Sequence, residues 1–201
     1  LRHSRQVRRD RFFYEYDLNQ WRAYGGGDLE PVLANGAVAL LDAQWIISHA
    51  EAGGVLAHRQ ALPKEAFLSF ADLVEATTGE FNLPVAALSY PWLTKDHPDP
   101  LGANLARVAR ALKALLTKND GMFTRFGVFW DFGSLHQHPD PANGVMRTEE
   151  QNALFKQGLG CLGTLYSHPE TRVLRLTSFP DGHKTEDQAD GTNVAAYFDR
   201  G

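Results

Sequence analysis

Two stretches decide how this chain is read: Pro84-Val85-Ala86-Ala87-Leu88-Ser89-Tyr90-Pro91-Trp92-Leu93 and Phe126-Gly127-Val128-Phe129-Trp130-Asp131-Phe132. Each holds a short apolar run of the kind that forms a buried strand, and each turns polar on its carboxyl side. Between them, Asp99-Pro100 offers an N-cap and a first-turn proline. Residues 101–116 then read as a helix with Leu105, Val108, Leu112 and Leu115 on one stripe. After the second stretch, Thr148 and Gln151 match a capping box and open a helix expected to reach about Tyr166. Its inner face would use Leu154, Phe155, Leu159, Leu162 and Leu165. Gly158, Gly160 and Gly163 each weaken that helix by roughly 1 kcal/mol relative to Ala, so a close approach to the sheet is expected there. Residues 171–179 supply a third strand.

Strand–helix–strand–helix–strand with near-continuous apolar strands predicts an α/β fold, a parallel sheet flanked by helices. The carboxyl ends of the strands then share one edge, which is where ligands bind in open α/β sheets. Polar stretches follow all three strands there: residues 89–100, 131–138, and Ser178 onward.

The first 80 residues read differently. Residues 37–52 and 63–76 show helical spacing, with Gly53-Gly54 and Gly79 as stops. The division expected is a mainly helical N-terminal extension over 1–80, packed through Trp45, Phe67 and Phe70 on an α/β domain over 81–201. Gly25-Gly26-Gly27 lacks the spacing and the preceding strand of a phosphate loop, and reads as a turn. The chain starts with Leu1 and five arginines within eleven residues, against one acid. That start reads as a solvated arm, with an acidic partner, an anionic surface or organelle import as alternatives. The chain is expected to continue beyond at least one of its ends, with the domain cut on its C-terminal side.

Across 201 residues the hydrophobic fraction is 43% and the net charge −4, which describes a soluble globular domain and argues against general nucleic-acid binding. No apolar run is long enough for a transmembrane segment. A single cysteine, Cys161, excludes an internal disulfide and fits an intracellular, cytoplasmic location.

The candidate ligand-binding residues are Ser89, Tyr90, Trp92, Asp131, Ser134 and Gln137. Asp131, after a buried strand, must find partners or face solvent; Ser134 and Gln137 could complete a polar rim for a sugar or nucleotide. The alternative is that Asp131 and Ser134 cap their own turn. Tyr90 and Trp92 could stack on a base, or pack as core aromatics. Asp131-Phe132-Gly133 looks like a kinase triplet but lacks the other kinase motifs. His136 and His138 with His97 could form a zinc site, although exposed loop histidines are the commoner case, and no metal site is assigned. Cys161 and His168 lie too far apart along a helix to form a nucleophile–base pair.

Ala87-Leu88-Ser89-Tyr90-Pro91-Trp92 resembles the "A-x-S-Y-x-W" opening of heterokaryon-incompatibility (HET) domains, and Phe129 to Gln137 resembles their "W-x-D-x-x-C-I-N-Q" strand and loop. Glu149 or Glu150, the helix to Leu165-Tyr166 and Arg172-Val173-Leu174 resemble the next helix and strand, and Tyr197 to Gly201 the start of "R-x-W…Q-E". HET domains are similar to Toll/interleukin-1 receptor (TIR) domains, and the pattern also looks like TIR-like proteins of algae and other protists. The resemblance covers residues 84–201 and implies a flavodoxin-like sheet. It departs where Ser134-Leu135-His136 replaces Cys-Ile-Asn. It implies a signalling or assembly module working through protein partners or self-association, with NAD or a related nucleotide as a ligand and no required cofactor. The alternative it implies is an NAD-cleaving glycohydrolase, whose catalytic Glu matches no residue of this chain.

Overall fold

A computed structural model of the chain describes residues 14–76, 83–94, 96–118, 125–169 and 171–181. The arginine-rich start with Phe12 and Phe13, the stop at Gly79 and the segment from Tyr197 lie outside these residues. The fold is α/β: a four-stranded open sheet with helices on both faces.

The three expected strands are present but shorter: β2 Val85–Ser89, β3 Gly127–Phe129 and β4 Arg172–Arg175. The N-terminal region adds β1, Leu41–Asp42, giving the spatial order β1-β3-β2-β4. β2 pairs in parallel with β3 (Ala87 opposite Phe129) and with β4 (Ser89 opposite Arg175). β1 runs antiparallel to β3, so the sheet is mixed and not wholly parallel as expected.

The alternation of the central strand builds two cores. Ala86 and Leu88 face one layer with Val128, Trp130 and residues of α3 (Ala43–Glu51) and α5 (Ala103–Lys118). Val85 and Ala87 face the other with Phe129, Trp21 of the helical residues 14–23 (α1), and Leu73 of α4 (Phe70–Ala76). That second layer also holds Leu165 of α8 (Leu162–Ser167), which follows α7 (Glu149–Gly160). A strand points successive side chains to opposite faces, so both layers hang on one five-residue element.

The expected helix over 37–52 is replaced at its start by β1. Leu40 and Leu41 go to opposite cores, as strand neighbours do, and α3 begins only after Asp42, whose carboxylate caps Gln44 N–H at 2.8 Å. The expected helix over 63–76 is also broken. Lys64–Ala66 forms a 3-10 turn, Phe67 is extended and bridges to Leu41, and α4 starts after Ser69. Ser69 and Asp72 cap each other there: Ser69 Oγ accepts from Asp72 N at 3.1 Å, and Asp72 Oδ2 from Ser69 N at 3.1 Å. Trp45 and Phe67 are half-buried against the core of α3 and α5, and Phe70 against the other. A short helix, α2 (Glu30–Ala34), precedes β1, and α6 (Asp131–Ser134) follows β3 where the strand was expected to continue.

The Thr148–Gln151 capping box is formed. The helix it opens breaks at Cys161, which separates α7 from α8, and Leu159 lies exposed at 42% instead of facing inward. Of the three glycines, only Gly158 makes the expected close approach. A Cβ there would lie 2.5 Å from Leu135 Cδ2 and 3.0 Å from the Ala37 carbonyl oxygen, whereas at Gly160 and Gly163 it would meet open space. Gly158→Ala should therefore lose about 1–2 kcal/mol, overpacking outweighing helix propensity, while Gly160→Ala and Gly163→Ala gain up to about 1 kcal/mol. Chemical denaturation of the three variants checks the opposite signs.

Candidate functional site

The loops leaving β2 and β3 meet at the carboxyl edge of the sheet, and their meeting point is the Asp131 carboxylate. Oδ1 accepts the Tyr90 hydroxyl at 2.6 Å and the Phe132 backbone N–H at 2.7 Å. Oδ2 accepts the indole N–H of Trp92 at 3.3 Å. Trp130, the residue before α6, packs edge-to-face on Tyr90 with ring centroids 5.6 Å apart. Phe132 fills the space beneath, meeting Trp92 at 5.6 Å and His97 at 4.9 Å. Tyr90 is half-buried as a residue, but its hydroxyl end is enclosed. Burial first, and then the Asp131 charge and bond, hold its phenol well above 10.

The other candidates take different places. Ser134 is fully buried: its Oγ accepts Trp130 N–H at 3.0 Å and closes the α6 turn, so it lines no surface. Gln137 turns its amide nitrogen back onto the carbonyls of Asp131 (3.2 Å) and Leu135 (3.1 Å). Ser89 ends β2, and its carbonyl accepts Leu176 N–H at 2.9 Å. The structure thus gathers Tyr90, Trp92 and Asp131 into one bonded group, sets Gln137 beneath the same loop, and seals Ser134 inside.

Several neighbours complete this edge, and of these Arg59, Gln60 and Arg147 carried no sequence signal. Gln60 clamps the backbone of Gln137, donating to its carbonyl at 2.6 Å and accepting its N–H at 3.1 Å. His97 accepts Asp99 N–H on Nδ1 at 3.0 Å, so the hydrogen of a neutral ring lies on Nε2 and donates to Leu56 O at 3.0 Å. Asp99 is fully buried, and its Oδ2 accepts Leu105 N–H at 2.7 Å in the first turn of α5. Arg59, half-buried, donates to the carbonyls of Gly36, Ala37 and Ser134, and burial lowers its guanidinium to about 10. Arg147 donates to His136 O at 3.0 Å and stacks on Phe155 at 3.7 Å. Burial, followed by the charges of Arg59 and Arg147, lowers His136 to about 4. Arg59, Gln60 and Arg147 have no cap or period to mark them and depend on contacts remote in sequence, whereas Asp99, read as a cap, does reach the first turn, although α5 starts at Ala103 and leaves Pro100 outside it.

Beyond β4, Arg107, Arg110 and Ser178 line an open cleft of about 350 Å³, where Arg107 Nη1 donates to Ser178 O at 2.8 Å. Among the described residues, no group of three or more His, Cys, Asp or Glu is placed to hold a metal ion. Cys161 is buried, and burial raises its thiol above the ordinary range. No helix among the described residues is long and apolar enough to cross a membrane. Compared with protein-family models, with curated proteins and with solved structures, the chain matches none.

Two outcomes follow from this geometry. Tyr90→Phe keeps the ring and deletes one hydrogen bond to a carboxylate, so stability should fall by about 1.5–3 kcal/mol, measured by urea denaturation. His136 sits neutral in the fold while the unfolded chain takes up a proton near 6.5. Its contribution is therefore complete above pH 6.5 and is lost as pH falls towards 4. Since the side chain is part-exposed, the difference between parent and His136→Asn should change by only on the order of 1 kcal/mol across that window, read from denaturation midpoints at pH 7, 5 and 4.

Proposed function

We propose that this chain is a flavodoxin-like, TIR/HET-like module that works in signalling or assembly through protein–protein contacts, with the Asp131 edge as a seat for NAD or a related nucleotide. One observation carries the reading: the Asp131 carboxylate is engaged by Tyr90, Trp92 and its own turn, which welds two loops into one rim. A rim fixed in advance loses less entropy on meeting a partner, and a carboxylate spent on architecture is poorly placed for turnover.

Two further features support it. The residues that carry the TIR/HET resemblance, Tyr90 and Trp92 in one motif and Trp130, Asp131 and Gln137 in the other, come together as one packed and hydrogen-bonded unit. The parallel strands lie in the order second, first, third along the sheet, with covering helices on opposite faces, which suits a flavodoxin-like sheet. Apolar side chains for contact are present at Leu101, 87% exposed where the chain enters α5, and at exposed Val145 and Met146. An NAD-cleaving glycohydrolase is the second reading. It rests on Asp131 Oδ2, whose single 3.3 Å bond leaves acceptor capacity for a ribose hydroxyl or a developing oxocarbenium charge.

Light scattering across a concentration series should show reversible self-association, weakened at least about tenfold by Leu101→Asp, a loss of about 1.4 kcal/mol or more. The same protein at high concentration should release no nicotinamide from NAD. Release by the parent that vanishes in Asp131→Ala would establish the second reading; a strictly monomeric chain would remove self-association from the first.

A further inference from the structure

The loop after α6 is gripped by two arginines whose acceptors are all neutral. Arg59 Nη1 donates to Ser134 O at 3.0 Å and Ala37 O at 3.3 Å, and its Nη2 to Gly36 O at 2.7 Å. Arg147 Nη1 donates to His136 O at 3.0 Å, and its Nε to Asn152 Oδ1 at 2.9 Å. Leu135, between the two gripped carbonyls, is extended at φ −108°, ψ 148°. The two gripped carbonyls are two residues apart in the chain, and the charges of both Arg59 and Arg147 reach the His136 imidazole between them. His136 belongs to the same segment, and its Nδ1 is buried without a hydrogen-bond partner.

Among the described residues no carboxylate pairs with either arginine; the ion pairs found there involve Arg22, Lys113 and Arg125. Glu149 and Glu150, next along the chain, are exposed. Partly buried cations held only by neutral acceptors keep their charge uncompensated, which is costly unless an anion completes the site. The remaining donors suit such an anion. Arg59 commits three of a guanidinium's five N–H groups and Arg147 two, leaving further N–H donors beside the histidine.

We infer that Arg59, His136 and Arg147 form an anion site for a phosphoryl group, either inorganic phosphate or the phosphates of a small phosphorylated molecule. Two guanidiniums held on one short segment match three acceptor oxygens arranged tetrahedrally better than they match a planar carboxylate, which one arginine fork satisfies alone. The inference does not rest on the assembly reading: it concerns a different set of side chains and holds for a monomer.

The test is thermal unfolding of the full chain titrated with inorganic phosphate, pyrophosphate and ADP, each against sodium chloride at equal ionic strength. A saturable rise in melting temperature with at least one probe is expected. Arg147→Gln should weaken that response at least about tenfold, equivalent to about 1.4 kcal/mol, with Arg147→Lys intermediate. Lys113→Gln, which breaks only the exposed pair with Glu51, should leave it unchanged. A readout that a purely structural role would not move is the His136 imidazole proton resonance: its titration midpoint should rise by about one unit with phosphate, as a nearby anion favours the charged ring. Tighter binding of ADP than of pyrophosphate assigns a nucleotide, and equal or weaker binding assigns the phosphate alone. No saturable response to any probe overturns the inference, as does an equal response in Arg147→Gln.

Discussion

The carboxylate of Asp131 joins what the chain keeps apart. Tyr90 and Trp92 lie some forty residues before it, on the loop leaving the central strand, and both end on its two oxygens. Hydrogen bonds to an ionised acceptor are about twice as strong as neutral ones, and they fix direction as well as distance. With both loops tied to one point, the aromatic rings of Tyr90, Trp92, Trp130 and Phe132 can settle into edge-to-face packing. Without that tie, two polar loops leaving strands of five and three residues would have little to hold them in register.

The scaffold beneath is economical. β3 is only three residues long, yet it is bracketed by β1 on one side and β2 on the other, and its side chains enter both cores. Because β1 comes from the N-terminal region, that region is part of the sheet and not only a cover for it. Arg125 strengthens the connection by reaching both Asp42, which ends β1, and Asp72 of α4.

Around this frame the charged groups separate by role. Asp99 is buried and spent on the first turn of α5, and Asp131 on the two loops. Among the described residues Arg59 and Arg147 meet only neutral acceptors, so positive charge collects on the loop that follows α6. Burial, followed by those two charges, keeps the neighbouring histidine neutral.

Period, caps and strand-like runs were enough to place β2, β3 and β4, the stripe of α5 as far as Leu112 (Leu116 packs on the core where Leu115 was expected), and the capping box of α7, because each is a local pattern of a few residues. The pairing of Tyr90, Trp92 and Asp131 at one edge was also legible, since parallel strands bring their carboxyl ends together. Leu41 and Asp42 were not legible as a strand: two residues cannot show a period of two, and the helical spacing that follows masks them. Their state was settled by the exposed edge of β3 and by two cores lying on opposite sides. Phe67 and Ser69 interrupt a good helical pattern for the same reason, because pairing with Leu41 and a local cap outweigh propensity of a few tenths of a kcal/mol per residue. The roles of Arg59, Gln60 and Arg147 depend on backbone carbonyls brought near by folding, and no spacing along a chain records such contacts. Local hydrogen-bonding and burial patterns thus belong to the sequence, whereas partners distant in the chain exist only once the two cores have closed on the sheet.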